Sequence, residues 1–224
     1  MARGIRTLGN SRAGIDWVWR LVEAVLAVAA ASILVGWLGS VAVGNGWFNR
    51  VDSLDLRGTN VRPFYAFITW FGTTEGVVSV SLIMLLVLLG LRLYQPGLVF
   101  VTDLLTAAIA NDTLKSWVAR ERPVGVDMSA LGYAFPSGHA LVCTASFGLF
   151  AWILAHYVRR PIYRLLIAGG FSLFILLIAY SRLYLGVHYP SDVLAGLVLG
   201  LFWLVVFARA VELPGRTGAT VRNR

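Results

Sequence analysis

Long runs of apolar side chains dominate this chain, and they restrict its folding more than any other feature. A helix crossing a bilayer needs about 20 mostly apolar residues, because its main-chain polar groups must find partners inside the segment. Six stretches meet that need, roughly 17–43, 77–94, 98–120, 137–158, 163–180 and 190–210. Hydrophobic residues make up 58% of the chain, charged ones only 13%, and mean hydropathy is +0.75, which excludes an ordinary soluble globule. The expected fold is all-α, a polytopic membrane protein with six transmembrane helices in a bundle. Its 224 residues are expected to form a single membrane-embedded domain.

The first stretch follows a basic leader containing Arg3, Arg6, Arg12 and Arg20. Such a leader also begins signal peptides, but this apolar run exceeds a usual h-region, so a signal-anchor helix is expected. Six spans put both termini on one side. The leader, Arg92, the Arg159-Arg160-Arg164 cluster and the tail from Arg209 share that face, which the positive-inside rule makes cytoplasmic. The expected location is the cell (plasma/inner) membrane. The formal charge of +8 is assigned to topology and anionic headgroups. No basic run interleaves with aromatics, so no nucleic-acid partner is expected. The single cysteine, Cys143, excludes an intrachain disulfide and a cysteine-based metal site.

Residues 44–74 form a connector whose Trp47, Phe48, Phe64, Tyr65, Trp70 and Phe71 either lie in the headgroup zone or pack beneath it. The third stretch is unusual because it holds Asp103, Asn111, Asp112, Thr113 and Lys115. Ionisable groups at membrane depth normally face a protein interior or a wet cavity. Lys115 is also the only lysine beside eighteen arginines. Codon usage alone could produce that imbalance, so its meaning depends on its neighbours.

Three segments end on the face opposite the cytoplasmic one. Lys115 and Arg122 are seven apart, two helical turns, a spacing that can place both on one side of the third helix. Proline at 123 predicts that this helix stops near Arg122. A bland alternative pairs Lys115 with Asp112 and sends Arg122 to the headgroups. Pro136-Ser137-Gly138-His139 has the form of a helix start, with Ser137 as N-cap and Gly138 permitting close approach of a ligand. Free N–H groups there favour an anion, although a simple cap beside an interfacial histidine has the same sequence. His188 and Asp192 are four apart across Pro190, so Asp192 lies in a helix's first turn and can reach back to the imidazole. A carboxylate on Nδ1–H would leave Nε2 free as nucleophile or base. Asp192 as a plain cap with Arg182 as its partner is the competing interpretation. His156, beside Arg159 and Arg160, is read as interfacial and non-catalytic.

Together, Lys115-x6-Arg122-Pro123, Pro136-Ser137-Gly138-His139 and Ser181-Arg182-x5-His188-x3-Asp192 resemble the three signature motifs of the phosphatidic acid phosphatase type 2 superfamily. They occur in family order, without substitution at a signature position. The resemblance implies that His188 attacks phosphorus and forms a phosphohistidine, with Asp192 holding the imidazole. It implies that His139 protonates the leaving oxygen and then activates water. Lys115, Arg122 and Arg182 would bind phosphoryl oxygens, helped by Ser137 and the Gly138 N–H. No metal or other cofactor is expected, since three cations stand where magnesium otherwise serves.

The expected activity is metal-independent hydrolysis of a polyprenyl diphosphate or a phosphatidate-type phospholipid at the extracytoplasmic side. The partners are a membrane lipid substrate and the bilayer itself. A phosphotransferase passing phosphate to a lipid or sugar acceptor is the alternative. A non-enzymatic lipid transporter is the third reading.

Overall fold

The computed structural model describes residues 5–124 and 132–211, with side chains from Asp16 onward. Arg3, the side chains of Arg6 and Arg12, the tail beyond residue 211 and residues 125–131 lie outside the described part. Eight helices follow one another among the described residues: α1 (Ile5–Gly44), α2 (Asn49–Asp52), α3 (Arg62–Trp70), α4 (Thr74–Gly90), α5 (Tyr94–Val118), α6 (Gly138–Tyr157), α7 (Pro161–Tyr184) and α8 (Pro190–Ala210). Five of them are long and apolar enough to span a bilayer. The α3–α4 pair, bent by 55°, makes a sixth crossing when taken as one broken span.

Several boundaries differ from the sequence expectations, each for a local reason. Helix α4 starts at Thr74, where the Thr73 hydroxyl accepts from the Gly76 N–H at 3.2 Å. It ends at Gly90 instead of Tyr94, because Arg92 takes a left-handed φ of 59° and turns the chain. Pro96 does not end a span. It occupies the first turn of α5, where a missing N–H costs nothing. Helix α5 stops at Val118, earlier than the proline at 123 predicts, because Ala119 is left-handed with φ 48° and its N–H closes on the Lys115 carbonyl. Lys115 and Arg122 therefore do not share a continuous helix face.

Helix α6 is the most buried of the spans, with Leu141, Phe147, Leu149 and Ile153 inaccessible. Helix α8 lies hard against it because two glycines remove side chains from the seam. A Cβ on Gly196 would sit 2.6 Å from the Ser137 carbonyl oxygen, and one on Gly200 2.5 Å from that of Leu141. The seam extends to the starts of both helices, where the Ser137 N–H donates to the Asp192 carbonyl at 3.0 Å. At the far end, the Gln95 amide donates to the Ala210 carbonyl and ties α5 to α8. His156 is there too, against Trp152, away from the converging segments. Leu26, Ile109, Leu165 and Val198 point outward, as lipid-facing side chains do.

Part of the connector's aromatic set packs against the bundle, and part stays exposed. Phe48 stacks on Phe135, Tyr65 packs on Tyr180 and Tyr184, and Phe71 meets Phe174 edge-on. Trp47, Phe64, Phe67 and Trp70 stay exposed.

Candidate active site

The C-terminal ends of α5 and α7 and the N-terminal ends of α6 and α8 meet at one end of the bundle, with α2, α3 and the α3–α4 elbow packed around them. A cleft of about 590 Å³ opens there, lined by Lys115, Arg122, Gly138, His139, Arg182 and His188 among others. Six of the eight residues singled out from sequence thus face one space. Ser137 and Asp192 lie directly behind it and are fully buried.

Each cation donates to main chain or to a neutral side chain at the cleft. The Lys115 ammonium donates to the Tyr133 carbonyl at 2.8 Å. It does not pair with Asp112, whose Oδ1 takes the Asn111 amide. Arg122 reaches the cleft through the turn at Ala119, its Nε donating to the Gly132 carbonyl at 2.9 Å and its Nη1 to that of Val187 at 2.8 Å. Arg182, fully inside α7, donates Nη1 to the Thr69 hydroxyl at 2.7 Å. Three like charges in one buried cleft are costly to assemble and favour an anion with several acceptor oxygens.

His188 is buried, with Nε2 3.2 Å from Arg122 Nη1 and Nδ1 3.5 Å from Asp192 Oδ2. An arginine N–H aimed at Nε2 needs a lone pair there, which puts the ring proton on Nδ1, facing the carboxylate. Burial, followed by the Arg182, Arg122 and Lys115 cations, holds His188 well below the ordinary histidine pKa and favours the neutral ring. The 3.5 Å separation is longer than a hydrogen bond, and Asp192 spends its oxygens elsewhere. Oδ2 accepts the Tyr189 N–H at 2.9 Å, closing a capping box on α8, and Oδ1 accepts from Arg120 at 2.6 Å. Asp192 is both a helix cap and the neighbour of His188. Its ion-pair partner is Arg120, not Arg182.

His139 sits one residue inside α6. One ring nitrogen is engaged by the Thr69 main chain, and Nε2 has no partner among the described residues. The elbow presses directly on this ring, since a Cβ on Gly72 would lie 2.4 Å from His139 Cδ2. Ser137 holds the N-cap position, yet its hydroxyl makes no cap bond. Its Oγ, His139 Nε2, Asn111 Oδ1 and Arg182 Nε are all buried without a partner among the described residues. Buried polar atoms rarely remain unpaired, and a cluster of them around one cationic cleft marks a polar ligand's position.

Several residues here escaped sequence reasoning: Arg120, Asp52, Ser191 and Thr69. Arg120 stood two positions from Arg122 and could have been weighed beside it. Asn111 precedes Lys115 by one helical turn, which puts it on the same face. Asp52 and Thr69 carried no local signal.

A family model for the PAP2 superfamily matches residues 96–215. The chain is 32% identical over 151 residues to phosphatidylglycerophosphatase B of Bacillus subtilis, covering 60% of this chain and 70% of the relative. It is 29% identical over 206 residues to an undecaprenyl-diphosphatase of Sulfolobus acidocaldarius, covering 89% and 93%. The fold resembles the crystal structure of a transmembrane PAP2-type phosphatidylglycerolphosphate phosphatase from Bacillus subtilis, with TM-score 0.67 and 22% identity over 80% of this chain and 92% of that one. The chain belongs to the PAP2 superfamily, as a polytopic membrane phosphatase.

Proposed function

We propose that this enzyme hydrolyses a lipid phosphate or diphosphate at the extracytoplasmic face through a phosphohistidine on His188, without a metal ion. The observation that carries this reading is the shape of the cleft. Its cationic end holds Lys115, Arg122, Arg182 and both histidines, and it continues between α4 and α5 past Val77, Val78, Ala108, Leu105 and Leu104. From Lys115 to Leu104 is about 16 Å along α5 at 1.5 Å per residue. Such a cleft accepts a headgroup at one end and the start of an apolar chain at the other, directly from the bilayer.

Chemically, the lone pair of His188 Nε2 forms the bond to phosphorus as the bond to the lipid oxygen breaks. His139 Nε2 supplies the proton that the leaving oxygen takes up. His139 then accepts a proton from water, whose oxygen attacks phosphorus, and the P–N bond breaks to return neutral His188 and release inorganic phosphate. The three cations stabilise the equatorial oxygens, where charge is spread in the transition state, aided by Ser137 Oγ and the Gly138 N–H. Asp192 balances the ring as it becomes positively charged.

The substrate class follows from the cleft and from the relatives' substrates: a glycerophospholipid phosphate or a polyprenyl diphosphate. Purified protein should release phosphate from at least one of polyprenyl diphosphate, phosphatidate, phosphatidylglycerophosphate and lysophosphatidate, equally with and without chelator, and His188→Ala should abolish release. Strict magnesium dependence or a fully active His188→Ala overturns the mechanism. Labelled phosphate appearing on an acceptor lipid instead of in solution replaces the hydrolase with a transferase.

A further inference from the structure

Behind the cleft lies a closed network that ties the nucleophile to the connector. Arg120 Nη1 donates to Asp192 Oδ1 and to Ser191 Oγ at 2.7 Å, while Nη2 donates to Asp52 Oδ2. Asp52, from the short helix α2, also accepts the Ser191 N–H at 3.0 Å and its hydroxyl at 2.9 Å. The Asp52 and Arg120 side chains are only 7% and 12% exposed. The guanidinium is stacked 4.2 Å over the Tyr189 ring, with Phe48 on its flank. We propose that Arg120 and Asp52 are positioning residues for His188, which orient Asp192 and set how much negative charge it presents to the imidazole. This rests on the nucleophile assignment above.

The physical case is one of charge balance. Arg120 fixes the Asp192 carboxylate so that Oδ2 faces His188, but a lone guanidinium would also cancel the charge that His188 needs. Asp52 restores it. The Asp52–Arg120–Asp192 group carries a net charge of one unit negative, buried beside a ring that becomes positive when phosphorylated. Without Asp52 the group is neutral; without Arg120 it is doubly negative. Asp52 lies before residue 96, outside the segment that the PAP2 family model matches, so this element is contributed by the chain's own connector.

Balance also gives the experiment its signs. The groups facing His188 are Asp192 from α8, Lys115 from the end of α5, Arg122 beyond it, Arg182 from α7 and His139 from α6. None of them changes in the variants used here. The acid limb of kcat/KM for phosphatidate hydrolysis in detergent follows protonation of free His188. Asp52→Asn removes a negative charge, so protonation becomes harder and the limb moves to lower pH. A charge on the order of 10 Å away, at an effective dielectric of about 20, shifts it by about one pH unit. kcat at the plateau should fall by about tenfold to a hundredfold, with KM changed little, as for other outer-shell partners. Arg120→Gln moves the limb to higher pH. The Asp52→Asn/Arg120→Gln double variant regains the net charge and should return toward the wild-type limb.

A merely structural role lowers rates without moving the two limbs in opposite directions, and that result overturns the proposal. Should Arg120→Gln not fold, the Asp52→Asn profile decides alone, because asparagine keeps the size and an acceptor oxygen. An inactive His188→Ala together with an unmoved limb in Asp52→Asn rejects the positioning role only. A fully active His188→Ala rejects the nucleophile assignment beneath it.

Discussion

Replacing Gly72 with alanine adds one methyl group at the elbow between α3 and α4, and the structure specifies where it goes. Its carbon would lie 2.4 Å from His139 Cδ2, 2.8 Å from His139 Cγ and 2.8 Å from Ile178 Cγ2. Apolar carbons rest about 3.5–4.0 Å apart, so the ring or the elbow must yield by more than about 1 Å. The imidazole cannot swing freely, because the Thr69 main chain holds one of its nitrogens. Ile178 is fully buried and blocks the other side. A displacement of about 1 Å in a catalytic group costs on the order of a hundredfold in rate. Overpacking costs about 1–3 kcal/mol of stability, partly offset by the reduced freedom of the unfolded chain. Gly72→Ala should therefore keep its KM and lose kcat by about two orders of magnitude, with a modest fall in Tm. Steady-state phosphate release and thermal melting in the same detergent measure both. A variant with wild-type kcat would show that His139 is not held by the elbow, and the acid–base role assigned to it would lose its structural basis.

Lys115→Ala should reduce kcat/KM by about a hundredfold or more while barely moving Tm, since removing one transition-state donor costs roughly that much; full activity would make the lone lysine a compositional accident. The same variant tests the electrostatics of His188. Burial and then three cations lower its pKa, so with the neutral ring as the proposed nucleophile the wild-type acid limb is expected below the ordinary histidine range. Losing the Lys115 cation should move that limb to higher pH, and the substrate's own titration cancels in the comparison. Thr69→Val removes the hydroxyl that accepts from Arg182 Nη1. It should raise KM several-fold and change kcat less, read from the same kinetics, whereas an unchanged KM would mean that Arg182 is held by its helix alone.

Much of this arrangement was legible beforehand because the bilayer imposes a coarse, length-based rule. Apolar runs reveal spans even when their ends are obscure. The ends depend on single backbone conformations, and neither Arg92 nor Ala119, both with positive φ, announces itself in sequence. That is why the shared helix face proposed for Lys115 and Arg122 failed although both reached the cleft. The signature residues were readable because they are particular side chains at fixed offsets from helix ends. Arg120 and Asp52 were not, because their partners lie far off in sequence: Asp52 and Ser191 are separated by 139 positions. Such a pairing exists only after α2 has folded over the start of α8.

The glycine-lined seam between α6 and α8 has a consequence for how such an enzyme can diversify. His139 lies in the first turn of α6 and His188 two residues before the start of α8, so the backbone contact between these helices fixes their separation without bulky side chains that drift. The apolar wall of the cleft belongs to α4 and α5 instead. Changes in lipid preference can accumulate on that wall while the spacing of the reactive pair stays constant, so tail selectivity and turnover are separately adjustable traits.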